Sequence, residues 1–289
     1  MFNTCGLISI FFERGSKMKG QQLEAGKDTA SPGVDAGTTA VRRANPAGAG
    51  RANAAVATLR VENLPFTVKV VHSDEALAKA VGVRHAAYAR HVPAMAEKLL
   101  MPEATDYEDG SVVLLAESKL DGSALGTMRI ATNEHKKLSI EQSVELPAWM
   151  EDARLAEATR LGVADGRTGK VVKTVLFKAF FKYCKEYGID WMVIAARSPL
   201  DRQYDQLLFT DLYPEQGYIP MRHGGNIPHR VLAFEIATAE RRWAAANHPL
   251  FDYIVRTHHP DIDVKVNRRT FVAQPIGLGS SPFGAGQRV

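Results

Sequence analysis

The segment from Arg154 to Val163 places two charged side chains in a stretch that otherwise has the pattern of a buried β-strand. Glu157 and Arg160 are flanked on both sides by small or apolar residues. An ionised group in an apolar segment is costly unless it is paired or used in chemistry, and such groups often have shifted pKa values and a function. We therefore expect Glu157 to act as a base at a catalytic site that includes Arg160.

The spacing of these two residues makes a structural demand. Glu157 and Arg160 lie three positions apart, and strict alternation along a strand directs such residues to opposite faces. Both can face one site only if the strand carries a β-bulge. The alternative is that they form structural ion pairs at the ends of the strand.

Further charged residues recur around the neighbouring predicted strands. Asp106 and Asp109 precede one strand, and Arg129 lies within the next. A central strand normally avoids charge, so Arg129 needs a partner, and a network of carboxylates and guanidinium groups would supply one. Asp106 and Asp109 alone fit equally well as charges at the rim of the sheet.

A glycine-containing loop follows the Glu157 strand and opens a long helix. Backbone N–H groups are free at the start of a helix and favour anions there. The residues that we expect to bind a phosphate-bearing acyl carrier are Arg167, Thr168, Gly169 and Lys170. Further along this helix, Lys178, Lys182 and Lys185 share one face. A solvated lysine stripe is the default interpretation, and docking of an acidic protein is the alternative.

The hydrophobic pattern predicts a single α+β domain with one mixed sheet flanked by helices, in the order β-α-β-β-β-α-β-α-β-α. We expect residues 1–58 to be a disordered extension because they are rich in small and polar residues. The folded domain should span 59–262, and 263–289 should form a tail. Strands are predicted near 66–71, 111–116, 125–130, 154–163, 191–196 and 230–236. Helices are predicted near 74–90, 169–187, 201–212 and 238–248, with a further helical segment to 258.

Composition limits the function classes. The net charge of +4 and the pI of about 9.0 are too weakly basic to indicate nucleic-acid binding, but suit an acidic partner. With only Cys5 and Cys184, neither a disulfide framework nor a zinc cluster is possible, which favours the cytoplasm. No stretch is long enough for a membrane span.

The histidines lack metal-site spacing and are interpreted as structural or surface residues. Because no Ser-His-Asp or Cys-His arrangement is recognisable, we favour direct attack by a bound amine.

The charged residues and the strand, loop and helix around Glu157 resemble those of known protein families. The segment from Glu157 to Tyr187 resembles the acyl-thioester-binding core of GNAT acyltransferases. The charged set is similar to N-acyl amino acid synthases of the FeeM type and acyl-homoserine-lactone synthases of the LuxI type, over about residues 64–262. The matching residues are Arg84 in Val-Arg-His-Ala-Ala-Tyr, Asp106-Tyr-Glu-Asp109, Arg129 in Gly-Thr-Met-Arg-Ile, and Glu157-Ala-Thr-Arg160. The stretch at 256–261 resembles the FeeM type.

The resemblance implies a GNAT-like domain that moves a fatty acyl group from acyl carrier protein to the amine of an amino acid. The phosphopantetheine of the carrier would belong to the donor, with no permanently bound cofactor, and the product could associate with a membrane. Glu157 would assist deprotonation of the amine, directly or through water. The residues implied in binding the acceptor are Arg84, Asp106, Asp109 and Arg129, beside Arg160. Loop 167–170 would lie by the carrier's phosphate.

Two other functions remain open. LuxI-type chains carry a tryptophan soon after the first helix, whereas residues 91–101 contain none, which disfavours an acyl-homoserine-lactone synthase. The other alternative is a non-catalytic acyl-carrier-binding protein on the same fold.

Six apolar residues could line an acyl tunnel, although core packing is the commoner role for such residues. They are Phe177, Phe180, Phe181, Leu207, Leu208 and Phe209.

Overall fold

A computed structural model of the chain describes residues 59–266. The expected disorder of residues 1–58, and the tail beyond residue 266, lie outside the described residues. The helices are α1 Asp74–His91, α2 Pro93–Ala96, α3 Gly166–Glu186, α4 Asp201–Gln206 and α5 Ala239–Ala245. The strands are β1 Arg60–Val61, β2 Phe66–Val70, β3 Ser111–Ser118, β4 Ala124–Thr132, β5 Leu155–Val163, β6 Trp191–Ala196, β7 Thr210–Asp211, β8 Ile219–Met221, β9 Ile227–Glu235, β10 Thr257–His258 and β11 Ile262–Asp263.

The expected mixed sheet flanked by helices is confirmed. Its strand order is β11-β2-β3-β4-β5-β6-β9-β7, with β8 paired to β9. Strands β2 to β5 are antiparallel neighbours, β5 and β6 are parallel, and β6 and β9 are antiparallel. The short strands β1 and β10 form a separate parallel pair.

Local sequence signals explain the helices that cover the sheet. Ser73 caps α1 by accepting a hydrogen bond from the backbone of Ala76, and Asp74 and Glu75 lie in the first turn, where negative charge is favourable. On α3, an apolar face that includes Val172 and Phe180 belongs to the main core with the inward-facing side of β4. Helix α1 packs on β3, β4 and β5.

Strands β5 and β6 pair over only part of their length. The pairing runs from Leu155 opposite Trp191 to Ala158 opposite Ile194 and ends there. Beyond Ala158, β5 still pairs with β4, but on its other side its residues line a cavity instead of pairing with β6. Where two neighbouring strands separate in the middle of a sheet, their backbone and side chains face the opening between them. The candidate site lies at this opening.

Two helix predictions were wrong at their C-terminal ends. Helix α4 ends at Gln206, not Leu212, because Leu208 has a left-handed φ of 67° and Thr210–Asp211 then pairs with β9. The segment predicted to be helical up to His258 forms a π-helical turn at Asp252–Arg256 and then strand β10. In both places, pairing with a strand decides the outcome over local propensity.

The expected solvated lysine stripe on α3 was wrong for Lys178 and Lys182, whereas Lys185 is exposed and pairs with Glu240 at the surface. The ammonium group of Lys178 is buried, donates to the carbonyls of Tyr253 and Thr257, and lies 2.7 Å from Nδ1 of His259. Lys182 donates to the carbonyl of Ile262. These lysines therefore hold the chain's own C-terminal segment against α3, because its carbonyl groups take the place of water.

Candidate active site

A β-bulge in β5 brings the two charged residues of that strand to one face. Arg129 lies opposite Thr159 and Thr127 opposite Gly162, so one β4 residue faces two on β5. Arg160 has a φ of 55°, a left-handed conformation that is uncommon for residues other than glycine. The bulge that the spacing demanded is confirmed.

Glu103, in the segment between α2 and β3, is the centre of the charged cluster. Both of its carboxylate oxygens accept hydrogen bonds of 2.6 Å from Arg160, one from Nε and one from Nη2. One of these oxygens also accepts a bond of 3.0 Å from Arg129. The sequence analysis did not select Glu103, although it lies three positions before Asp106 in a capping box.

Asp106 forms the second half of this cluster. Its two oxygens accept a bidentate pair of 2.9 Å bonds from Arg84, and Oδ1 lies 3.2 Å from Nη1 of Arg129. Arg84 is fully buried on α1 and Arg129 is almost fully buried on β4. Three guanidinium groups therefore share two carboxylates, which leaves the cluster with an excess of positive charge.

The pKa values of the two carboxylates reflect this excess. Burial alone would raise the pKa of Glu103, but the hydrogen bond and the charge of Arg160 outweigh it, so the pKa lies below its ordinary value. Burial would likewise raise the pKa of Asp106, but the hydrogen bonds and the charge of Arg84 outweigh it. The pKa of Asp106 therefore also lies below its ordinary value. Both groups are therefore held ionised, and their role is to fix the arginines in place.

Glu157 is fully buried beside this cluster. Its Oε2 accepts a 2.7 Å hydrogen bond from the backbone N–H of Ser139. Burial raises the pKa of Glu157 to about 7, and the hydrogen bond from Ser139 offsets only part of this shift. A carboxyl group that titrates near neutral pH is suited to accept a proton and release it again.

His223, on the turn after β8, is the second residue of this site that the sequence analysis did not select. Its Nε2 lies 3.7 Å from Oε1 of Glu157, and its carbonyl accepts a 3.1 Å bond from Nη1 of Arg160. Burial, followed by the charge of Arg160, lowers the pKa of His223 to about 4. The imidazole is therefore neutral at physiological pH.

The cavity between β5 and β6 has a volume of about 500 Å³. Its lining includes four cationic side chains, which belong to Arg90, Arg160, Lys173 and Arg197. Among the described residues that line it, none is aspartate or glutamate. Burial lowers the pKa of Lys173 to about 8. The cavity therefore favours an anionic ligand on electrostatic grounds.

One end of the cavity is mostly apolar, although Lys173 and Gln203 also lie there. Leu161, Leu200 and Tyr204 line both the cavity and a small adjoining void of about 20 Å³ that Phe177 and Leu207 close. Of the six candidate tunnel residues, only Phe177 and Leu207 reach this void. Phe180, Phe181 and Phe209 are buried in the main core, and Leu208 packs against it.

The loop at 167–170 lies just beyond the cavity. Helix α3 begins three residues after Val163, which lines the cavity, and Asp165 caps it by accepting from the backbone of Gly166. Arg167 and Thr168 are exposed and Lys170 is half-buried. Gly169 is needed for packing, since a Cβ atom there would lie 1.8 Å from the carbonyl oxygen of Ala164.

Asp109 lies apart from the other predicted acceptor residues. Its side chain is exposed and lines a different cavity, which Asp106 also lines, but it makes no contact with the arginine cluster among the described hydrogen bonds and ion pairs. The structure thus joins Arg84, Asp106, Arg129 and Arg160, and it adds Glu103 and His223.

Within residues 59–266, no group of His, Cys, Asp or Glu could hold a metal ion, and no helix is long and apolar enough to cross a membrane.

The fold and the site define the class of protein. A mixed sheet, a parting between parallel strands, a bulge beside that parting and a helix directly after the bulged strand make up a GNAT-like fold. Residues 79–222 match the family model described as N-acyl amino acid synthase FeeM. The chain is therefore a GNAT-fold protein that resembles the N-acyl amino acid synthases of the FeeM type, and the match supports an N-acyltransferase.

Solved structures similar to this chain include FeeM, an N-acyl amino acid synthase from uncultured soil microbes. It is 18% identical over 63% of this chain and 97% of FeeM, with a TM-score of 0.49. BjaI, a CoA-dependent acyl-homoserine lactone synthase solved with SAM and isopentyl-CoA, is 13% identical over 67% and 93%, with a TM-score of 0.43. A proposed GNAT acetyltransferase of Desulfovibrio desulfuricans is 11% identical over 59% and 99%, with a TM-score of 0.43. No curated protein matches the sequence.

Proposed function

We propose that this protein transfers a fatty acyl group from acyl carrier protein to the amine of an amino acid, in the cytoplasm, and so makes an N-acyl amino acid. The observation that carries the proposal is the position of Glu157. This buried carboxyl group, with a pKa of about 7, lies behind a cavity that opens between two parted strands. The acyl thioester and the acceptor would meet in that cavity.

Glu157 would hold the proton that the acceptor's ammonium group must lose. The free amine then attacks the thioester carbon, a C–N bond forms, and the C–S bond breaks. The second amine proton goes to the thiolate of the phosphopantetheine arm. A base with a pKa near the working pH combines a useful ionised fraction with real basicity.

The arginine cluster supports a carboxylate-bearing acceptor. Three guanidinium groups share Glu103 and Asp106, and the excess positive charge reaches the cavity through Arg160. An amino acid carries its carboxylate next to its amine, so Arg160 would orient both groups at once. Arg84, Arg129 and Asp106 would act through this arrangement, as positioning residues. Asp109, which lies elsewhere, is not part of the proposal.

The lining of the cavity supports a phosphate-bearing donor. Arg90, Lys173 and Arg197 line it, and Arg167, Thr168, Gly169 and Lys170 form the first turn of α3 just beyond it. The free N–H groups of such a turn favour a phosphate. Where the ladder ends after Ala158, the backbone of β5 faces the cavity and would supply donors to the thioester oxygen as it becomes negative.

Mass spectrometry of lipids extracted from expressing cells tests the proposal. We expect N-acyl amino acids that are absent from matched cells expressing Glu157→Gln. A lactone that forms when purified protein receives S-adenosylmethionine and an acyl donor would instead identify an acyl-homoserine-lactone synthase. If acyl carrier protein binds but no N-acyl species appears, the protein is a carrier-binding protein and the proposal is wrong.

A further inference from the structure

Glu157 does not touch the cavity that it is proposed to serve. Its side chain is fully buried, and the cavity lining begins at the next residue, Ala158. An amine held between β5 and β6 therefore has no direct contact with this carboxyl group. A proton that leaves the amine must pass through another group before it reaches Glu157.

His223 lies between the cavity and Glu157. It lines the cavity, and its Nε2 lies 3.7 Å from Oε1 of Glu157. This separation is slightly longer than a hydrogen bond, as is common for catalytic contacts before substrate binds. The backbone of His223 is fixed by the bond from Arg160 to its carbonyl, which keeps the ring near this position.

Two polar atoms of this pair are left without partners. Oε1 of Glu157 and Nδ1 of His223 are both buried, and neither has a hydrogen-bond partner among the described residues. Buried polar atoms without partners are rare and cost free energy, so they need an explanation. A proton path that is completed only when the acceptor binds would account for both atoms.

We propose that His223 is a catalytic residue that carries the acceptor's proton to Glu157, an inference that rests on the proposed acyl transfer. When the acceptor binds, the ring of His223 turns enough for the buried Nδ1 to meet the ammonium group; Nδ1 then takes one proton from it while Nε2 gives one to Oε1 of Glu157. The ring is neutral before and after this step, and Glu157 changes from carboxylate to carboxylic acid. The released amine then attacks the thioester as described above, and Glu157 later returns its proton to solvent by the same path.

The charges around His223 favour an imidazole that passes the proton on to Glu157 and does not retain it. Arg160 on β5, Arg129 on β4 and His229 on β9 all disfavour a charged His223. Burial and these charges hold the pKa of His223 near 4, while that of Glu157 is about 7. A transferred proton is therefore more stable on the carboxyl group than on the imidazole, which gives the path a direction.

His229 offers a matched control in the same cavity. It also lines the cavity and its pKa is lowered by burial, but its Nδ1 lies 2.6 Å from the carbonyl of Ile227. The structure gives it no ion pair with a carboxylate among residues 59–266. Replacing it removes an imidazole from the cavity without removing one that faces Glu157.

The experiment measures kcat at saturating acceptor from about pH 5 to about pH 9. The substrates are long-chain acyl carrier protein and whichever standard amino acid yields product with the wild-type protein. The variants are His223→Phe, His223→Gln and His229→Asn, each checked for folding by circular dichroism. For the wild type we expect kcat to rise with pH around pH 7, where Glu157 loses its proton.

We expect His223→Phe and His223→Gln to lose about 100-fold in kcat and to lose the rise near pH 7, with an unchanged KM for the acyl donor. His229→Asn should keep the rise. If the His223 variants keep this rise, whether their rate is normal or uniformly reduced, His223 has at most a structural role and the inference is wrong. If His223→Phe does not fold, the more conservative His223→Gln decides. If the wild-type protein makes no N-acyl product with any amino acid, the proposed function itself fails.

Discussion

Arg160 and Glu103 form a bidentate ion pair, with Nε and Nη2 of the arginine each 2.6 Å from a carboxylate oxygen. The pair connects the bulge of β5 to the segment that precedes β3. Because Arg160 has a left-handed backbone conformation, its position depends on contacts that hold the side chain. Glu103 therefore determines how the positive charge of Arg160 faces the cavity.

We expect Glu103→Gln to lower the free energy of unfolding by about 2 kcal/mol, because it removes a charge that three arginines share. The amide keeps the shape of the side chain but places N–H groups against guanidinium donors. Urea unfolding measures the effect. Glu97→Gln, at an exposed site on the same segment, serves as the control and should change stability by less than about 0.5 kcal/mol. Equal effects of the two substitutions would contradict the role of Glu103.

Two glycines offer a matched test of how closely α1 lies against β5. A Cβ atom at Gly162 would lie 2.9 Å from Cα of Arg84, whereas one at Gly82 would have no atom within 4 Å. We expect Gly162→Ala to destabilise the protein by about 2 kcal/mol. Gly82→Ala, on α1 itself, should stabilise it by about 0.5 to 1 kcal/mol. Thermal unfolding of both variants checks the opposite signs, and a neutral Gly162→Ala would show that α1 does not press on β5.

The raised pKa of Glu157 predicts how stability depends on pH. The folded pKa of about 7 lies above the ordinary value of 4.5, so the folded protein binds more protons than the unfolded chain between these values. The stability that this group provides in acid is therefore lost as the pH rises from 4.5 through 7.

The Glu157→Gln substitution removes this pH-dependent loss of stability, because the amide side chain does not titrate. Relative to the wild type, we expect the variant to gain about 2 to 3 kcal/mol between pH 5 and pH 8. Urea unfolding at both pH values measures the gain, and Glu97→Gln should show none. A variant that follows the wild type at both pH values would mean that the carboxyl group is not held protonated by burial.

Part of the candidate site could be predicted because its signals are local. Glu157 and Arg160 break an apolar strand pattern, and their spacing of three demands the bulge that the structure contains. The helix after β5 was predicted for the same reason, from apolar spacing and the glycine-containing loop that precedes it. These features depend on neighbours in sequence and on the geometry of one strand.

The rest depends on contacts between distant segments. Glu103 lies in an irregular stretch, and its three arginine partners come from α1, β4 and β5. His223 lies on a turn and is distinguished by its proximity to a carboxylate on the distant strand β5, so its surroundings in sequence give no sign of it. Lys178 has the spacing of a solvated residue, yet carbonyls of the C-terminal segment surround it. None of these partners follows from periodicity.

The cationic lining of the cavity predicts salt-sensitive binding of the donor. We expect Arg197→Gln to raise the KM for acyl carrier protein about tenfold with little change in kcat, and to weaken the dependence of KM on salt. Arg202→Gln is the control, because Arg202 is exposed on α4 and does not line the cavity. Initial rates at low and high ionic strength provide the measurement, and an equal response of both variants would argue against a charged donor in this cavity.

The most direct test compares purified wild-type protein with Glu157→Gln in one reaction. Each receives acyl carrier protein loaded with a fatty acyl group and an amino acid, and both the released thiol and the N-acyl product are quantified. The wild-type protein should release one thiol for each N-acyl amino acid formed, and Glu157→Gln should be at least about 100-fold slower while remaining folded. Product formation by Glu157→Gln at the wild-type rate would contradict the claim that this buried carboxyl group is the base.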